Sequence, residues 1–386
     1  MATVLLLVIY AAFISLGLPD SVLGVAWPLM HTELGAPLSV AGLVNLVVNL
    51  GTVISSLLSQ RLIRRFGTWR VTWASVILTS LGLLLTSRSH FFWALMVFAL
   101  PLGLGAGCID TALNSYVARH YNAMQMNLLH AFWGIGTIVA PILLSRFFES
   151  GRSWRDGYLV LALLQAFIFL IVLSSRRLWK DDDQERDSIT KEDAKVYSIP
   201  ALLKVRGAFF SCLAFAFYTM EGTAMLWMAS YLVYGKGLDA STAASLSSMV
   251  YLGITAGRIA TAFIADRVSA KRMIQASQLM IALSIIALLP DAGIWLLYLA
   301  IFMIGFSLGP IYPAMVRQTV SFFHPSQSVG IMSLQMCFCY IGNMTIPPLY
   351  GLMSDLFGQW LLPVYLLVLL ALQAMCTQMK NHLCAR

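Results

Sequence analysis

Twelve stretches of about 20 mostly apolar residues, each closed by a short polar turn, constrain this chain more than any other feature. They lie near residues 3–26, 38–60, 70–87, 90–118, 125–148, 156–175, 207–234, 240–265, 272–290, 293–316, 327–353 and 360–379. That length is what a helix needs to cross the hydrocarbon core of a bilayer. Composition points the same way: 59% of the residues are hydrophobic and 11% charged, where an average globular chain has about 25% charged. Of the 42 charged residues 15 fall between Arg176 and Arg206, which leaves 27 for the other 355 positions, too few to clothe a water-facing surface. A soluble fold is excluded, and an all-α membrane protein with twelve transmembrane helices is expected.

The first run lacks a basic n-region, and no small-residue cleavage site precedes Trp27-Pro28, so it is expected to remain in the mature protein. Cytoplasmic loops carry the excess of Lys and Arg. With both termini placed inside, 19 of the 25 basic residues are cytoplasmic, five are outside, and Arg258 alone lies within a span. Both termini are therefore expected in the cytoplasm, of a prokaryotic cell membrane. The long polar segment between spans six and seven reads as a solvated linker at 179–205 joining bundles at 1–178 and 206–386. The two bundles echo each other. Gly103 and Gly107 recur 202 residues later as Gly305 and Gly309, while Gly51, Arg61 and Gly136 recur 206 later as Gly257, Arg267 and Gly342. Two pseudo-symmetric six-helix bundles are the architecture of secondary transporters, whose substrate sites lie near the midplane between the halves.

Other classes fare worse. The net charge of +8 is spread in short clusters between apolar runs with no nucleic-acid recognition motif. Six cysteines show no CxxC and no His/Cys ligand spacing, so neither disulfides nor a metal are expected. No G-x-x-x-x-G-K-[ST] loop is present to bind ATP. No enzymatic constellation, and no cofactor, is expected.

An ionised carboxylate near the centre of a membrane helix costs about 2.5–3.5 kcal/mol on insertion scales, so it faces a cavity or a partner. Only Asp20, Asp110 and Glu221 lie well inside spans. Asp110 and Asn114 share one helix face, as do Tyr218, Glu221 and Met225, so polar faces from both bundles are expected to meet at one cavity. Each acid could instead be a structural pair with a hydroxyl, an amide or Arg258. Arg258 lies two turns from Asp266, which suits a gate pair, with Arg267 beside it. His130 is either a proton relay or a packing histidine. Asn45, Asn49 and Asn343 suit either substrate hydroxyls or helix-to-helix bonding, and Trp133 and Trp227 either sugar stacking or packing.

Asp266-Arg267-Val268-Ser269-Ala270-Lys271-Arg272 resembles the D-R-x-G-R-K signature of the major facilitator superfamily, with Ser269 at the glycine place. In the first half the matching stretch is read from Gln60, with that residue at the acidic place. Three further stretches resemble the fucose:proton symporter family: Leu18-Pro19-Asp20 through Gly24 with Trp27-Pro28, Gly103 through Cys108, Asp110 and Asn114, and Tyr218 through Glu221 to Trp227. Asn127-Leu128-Leu129-His130 to Gly136 follows as a fourth, with His130 and Trp133 where fucose members have polar amides. The resemblance implies the major facilitator fold, with a proton-coupling acid in span one and another in span four, here Asp20 and Asp110.

The function expected is proton-coupled symport of a sugar or similar polar solute, by rocking of the halves, with Asp110, Asp20, Glu221 and His130 handling protons. Substrate-binding positions are Asp20, Asn45, Asn49, Asn114, Trp133, Tyr218, Glu221, Trp227 and Asn343, with Arg258, Asp266 and Arg267 gating. The alternative is a proton antiporter that exports amphipathic or cationic compounds. Partners are the solute, protons and the lipid bilayer, with the chain acting as a monomer.

Overall fold

The computed structural model describes residues 2–121, 123–179, 199–264, 267–290 and 293–384. Most of the polar linker (180–198), Asp266 and Arg386 therefore lie outside the described residues, as do the side chains of Gln60, Arg64 and Asn127. Twelve long helices follow one another, and no strand occurs among the described residues. This is the form a backbone takes where no water can satisfy its N–H and C=O groups. Nine of the helical segments among the described residues are long and apolar enough by themselves to cross a membrane.

The chain packs as two compact units, Met1–Glu192 with Leu238–Ser245, and Asp193–Gly237 with Leu246–Arg386. The first contains α1 (Ala2–Glu33), α2 (Val40–Phe66), α3 (Thr68–Ser87), α4 (Phe92–His120), α5 (Ala123–Glu149) and α6 (Trp154–Ser174). Here α2 packs on α4, α1 on α5, and α3 on α4 and α6. Tyr10, Phe13, Ile109, Leu113 and Val172 form the core of this unit, and Trp179 just beyond α6 is buried in it. At the far end of α1, Glu33 accepts from the Trp154 indole at 2.5 Å and pairs with Arg155, which also donates to the Ser89 carbonyl. Leu163, Phe167 and Leu170, spaced along one stripe of α6, are exposed; an apolar stripe turned outward is what a lipid-facing helix requires.

The C-terminal repeat contains α7 (Ala208–Tyr218 and Met220–Ser230), α8 (Ala240–Ile264), α9 (Ala270–Ala287), α10 (Ile294–Leu308 and Ile311–Phe322), α11 (Pro325–Phe357) and α12 (Leu362–Cys384). A short helical turn, Ile199–Leu203, precedes it, with Leu202 buried against Cys212, Phe323 and Ile331. Two of these helices are interrupted. In α10 the break falls at Gly309-Pro310, where proline has no N–H and its ring crowds the carbonyl four residues back. In α7 it falls at Thr219, whose N–H turns back to the Ala216 carbonyl, two residues before Glu221.

Contacts at the glycines settle the register of the repeat. A Cβ on Gly103 would sit 2.1 Å from the Val48 carbonyl oxygen and 3.1 Å from Cα of Gly51; one on Gly305 would sit 2.1 Å from the Val250 oxygen, and one on Gly253 3.0 Å from the Gly305 carbonyl carbon. Gly107 meets the Thr52 oxygen as Gly309 meets that of Ile254. All these pairs lie 202 residues apart, so the counterpart of Gly51 is Gly253, and the match of Gly51 to Gly257 is a coincidence of glycine frequency. Gly136 faces the Ile14 oxygen and Gly342 that of Ala216. The offset of 206 at α5 and α11 is therefore retained while α1 and α7 keep 202. The loop motif shifts with the register. Gly67, with φ of 83°, precedes α3, and Ser269, with φ of −62°, precedes α9 and accepts from the Arg272 N–H. Arg64-Arg65-Phe66-Gly67 thus answers Asp266-Arg267-Val268-Ser269, which puts Arg64 rather than Gln60 at the acidic place and replaces a left-handed glycine by a side-chain cap.

Candidate functional site

In the first unit, the accessible carboxylate of Asp20 lies in the middle of α1, flanked by buried Ser21 and Val22 on an otherwise apolar helix. Gly17 and Gly136 bring α1 and α5 into backbone contact: a Cβ on Gly17 would lie 2.2 Å from the Trp133 carbonyl oxygen. This contact sets Trp133 beside Asp20, and the indole N–H donates to Asp20 Oδ2 at 2.8 Å. Trp133, read as a stacking or packing residue, is instead the hydrogen-bond donor to the acid. On α4 the half-buried Asp110 accepts from Asn114 Nδ2 at 2.8 Å, and the same amide reaches the Asp110 carbonyl at 3.0 Å. The helical spacing of four that paired them in sequence brings them together here. Asn45 and Asn49 are both half-buried on α2, and Asn49 spends an amide hydrogen on the Asn45 carbonyl at 2.8 Å. His130 is exposed, with its ring edge-on to Phe13 at 5.8 Å between centroids.

In the second unit, Glu221 follows the break in α7, and Arg258 Nη2 donates to its Oε1 at 3.2 Å. Of the two partners open to Arg258, a buried acid or Asp266, the structure supplies the acid. The gate pair with Asp266 involves a residue outside the described ones, and Arg267 is exposed with no ion pair among the described residues. Tyr218 is buried against this pair and donates to the Leu308 carbonyl at 3.2 Å. Asn343 lies over Gly222, where a Cβ would be 2.7 Å from its Oδ1, so the glycine next to Glu221 makes room for the amide. Trp227 is fully buried, with its N–H on the Pro347 carbonyl at 2.9 Å and its ring edge-to-face on Tyr350. It has no face to offer a solute, and its place among the substrate-binding residues is corrected to packing.

Sequence reasoning passed over Tyr312. Its ring lies 6.1 Å from that of Tyr218, its hydroxyl points at Met336 Sδ, and it stands 202 residues after Asp110, in the register that relates α4 to α10. The register could have found it. Tyr312, Arg317, Met332, Ser333 and Met336 line an open cavity of about 600 Å³ between α10 and α11. No cluster of His, Cys, Asp and Glu fit to hold a metal occurs among the described residues.

The arrangement is one of polar groups, each acid with a side-chain donor, set on otherwise apolar helices. Comparison with known proteins agrees with the fold. The chain is 24% identical over 358 residues to Bypass of stop codon protein 6 of Saccharomyces cerevisiae, covering 83% of this chain and 71% of that protein. It is 23% identical to the glucose/mannose transporter GlcP of Bacillus subtilis, over 68% of this chain and 66% of the relative. Among solved structures, the nucleoside transporter NupG superposes with a TM-score of 0.79 at 12% identity, over 97% of this chain and 98% of that one. The xylose transporter XylE from E. coli, in its inward-open conformation, gives 0.73 at 11% identity, over 96% and 95%. Residues 9–242 and 210–376 match the family profile of the Major Facilitator Superfamily, and the chain belongs to that superfamily of membrane transporters.

Proposed function

We propose that the chain is a proton-coupled symporter that takes up a sugar or a similar small hydroxyl-rich solute by alternating access. The observation that carries this reading is the accessible carboxylate of Asp20, held by a neutral indole donor in the middle of a 31-residue apolar span. A carboxylate so placed accepts hydrogen bonds from hydroxyls, and Asn45 and Asn114 add amides of the kind that bind them. Asp110 supplies the coupling proton. Its partner is the neutral amide of Asn114, so it can gain or lose a proton without stranding a cation. His130, accessible near one end of α5, relays protons to it. The resemblance to fucose:proton symporters supports the same two acids, and the glucose/mannose transporter and the xylose carrier among the similar proteins support a hydroxyl-rich solute.

The exporter of cationic compounds drew on three buried acids. With Glu221 neutralised by Arg258, that reading loses one of them. The charge bias of the loops supports both termini inside; we further take the membrane as a prokaryotic cytoplasmic one and the bundles at 1–178 and 206–386 as working in a monomer. Reconstitution in proteoliposomes with an inside-alkaline pH gradient tests the proposal: one or more labelled monosaccharides should accumulate, and a protonophore should abolish it. Extrusion of several hydrophobic cations with no uptake of any monosaccharide would overturn it.

A further inference from the structure

The open cavity between α10 and α11 is lined in a way that does not suit a hydroxyl-rich solute. Its volume of about 600 Å³ falls within the roughly 300–1,000 Å³ usual for small-molecule sites. Tyr312 and Val316 line it from α10, and Met332 and Met336 from α11; each pair is four residues apart and so shares one helix face. The polar side chains around it are already engaged. Gln335 is fully buried, and its amide donates to the Ser211 hydroxyl at 2.7 Å and to that of Thr319 at 2.9 Å. The Tyr312 hydroxyl donates to Met336 Sδ at 3.4 Å, and Arg317 Nη2 reaches the Val268 carbonyl at 3.5 Å. Arg317 and Ser333 have further partners as well. A sugar could bind here by hydrogen bonds only if these contacts were broken, and a buried polar group left unpaired is costly.

What the cavity offers instead is polarizable apolar surface. The Tyr312 ring is held from α7 by Phe215, edge-on at 5.9 Å between centroids, and by Tyr218 at 6.1 Å. Such a ring is a fixed wall for a second one, since aromatic pairs attract in offset and edge-to-face arrangements. Methionine sulfur adds favourable contacts to an aromatic ring, and its flexible side chain adapts to the ring's outline. The charge of the occupant follows from the same lining. An anion would need free donors, which are engaged, and a cation would lie beside the Arg317 guanidinium. A neutral ring needs neither. We propose that the cavity between α10 and α11 binds a small uncharged aromatic molecule, held by Met332, Met336 and Tyr312. This is a second site, built within the second unit alone, and it does not depend on the solute and proton chemistry of Asp20 and Asp110.

The test is magnetic resonance of the detergent-purified full chain, labelled with carbon-13 at its methionine methyls. The probes are naphthalenemethanol, its fully hydrogenated analogue, naphthoate and naphthylmethylammonium, with free concentrations fixed by dialysis. Ring currents of naphthalenemethanol should displace upfield the resonances of Met332 and Met336, each assigned by its disappearance in M332L or M336L. Naphthalenemethanol should bind about fivefold or more tighter than the hydrogenated analogue, the worth of sulfur contacts to its ring. M332L/M336L keeps the volume and removes both sulfurs, so the two affinities should come within about twofold of each other. V316W fills the cavity and should abolish binding; should it fail to fold, the double leucine variant carries the test. Equal affinity of the two neutral probes, a preference that survives M332L/M336L, displacement of other methionine methyls in place of these two, or tighter binding by either charged probe would overturn the proposal. Glucose displacing the same two resonances would overturn it too, by giving the cavity to a hydroxylated solute. No response to naphthalenemethanol would overturn it and leave the carrier reading in place.

Discussion

The two repeats place their acids in opposite electrical settings. In the first, Asp20 receives an indole N–H and Asp110 a carboxamide, both neutral donors; in the second, Glu221 meets a guanidinium. A carboxylate with a neutral partner changes protonation state at the cost of its own solvation alone. One in an ion pair, when neutralised, strands a cation in an apolar wall. The same fold unit, duplicated, thus holds one half suited to titration and another suited to holding a fixed charge. The register makes the contrast sharper: Asp110 answers to Tyr312, and Arg258 to Ser56, whose hydroxyl donates to the Gly107 carbonyl at 3.2 Å. Both repeats carry an acid on their first helix, Asp20 on α1 and Glu221 on α7, but the second charge falls on α4 in one repeat and on α8, the counterpart of α2, in the other, while the glycine contacts that join those helices are the same.

The largest effect expected is at Asp110. Asn at this position mimics the protonated acid, so Asp110→Asn should abolish accumulation driven by a pH gradient and preserve exchange of substrate at equal concentrations on both sides. Gradient-driven accumulation equal to the parent would break the contrast, and Glu221 would take the titrating role. Next comes the pair itself. Glu221→Ala leaves Arg258 without its carboxylate and should cost about 3 kcal/mol, seen as a lower melting temperature in detergent. E221Q/R258Q, neutral at both positions, should recover most of the loss. If the single and double variants melt alike, the pair is not what stabilises the second unit.

Much of the fold was legible because lipid enforces it: backbone groups must be satisfied within each helix, so span number and type follow from the apolar runs. The helix ends were less so. α1 runs on to Glu33 and α11 to Phe357, since a helix continues past the hydrocarbon wherever caps and contacts allow. The repeat was visible as glycine spacing, yet Gly51 was matched to Gly257, because glycines recur by chance in membrane helices and only backbone contact identifies the partner. In the site, the acids stood out by their insertion cost and Asn114 by its spacing. The Trp133 donor lies 113 residues from Asp20, joined through the Gly17–Gly136 contact that no local pattern reveals. The same holds for Glu221 and Arg258, 37 residues apart, where Asp266 was the nearer acid in sequence.

Smaller effects test whether the shared scaffold is as alike as its contacts. Gly103→Ala and Gly305→Ala each push a methyl to 2.1 Å from a backbone oxygen of the facing helix, Val48 or Val250. Each should cost about 1–3 kcal/mol by overpacking, with melting temperatures lowered by similar amounts. A large difference between the two would show that one helix pair yields where the other does not, and would confine the equivalence to sequence register.

The smallest difference lies where α2 and α8 begin. Ser39 precedes α2 and its side chain makes no cap bond, whereas Asp239 precedes α8 and its Oδ1 accepts from the N–H groups of Ser241 and Thr242 at 3.1 and 2.9 Å and from the Ser241 hydroxyl at 2.8 Å. These bonds favour the ionised acid, chiefly those from Thr242, and lower its pKa from 3.8 to about 2. Because the folded value lies below the unfolded one, the contribution is complete above about pH 4 and disappears as the pH falls through about 2. Asp239→Ala should cost about 1 kcal/mol at neutral pH, a typical capping loss, and Ser39→Ala should cost less. The gap between Asp239→Ala and its parent should close as the melting experiment is taken toward pH 2. A gap that persists there would mean that Asp239 acts through packing rather than through its charge, and the two helix starts would then differ in shape alone.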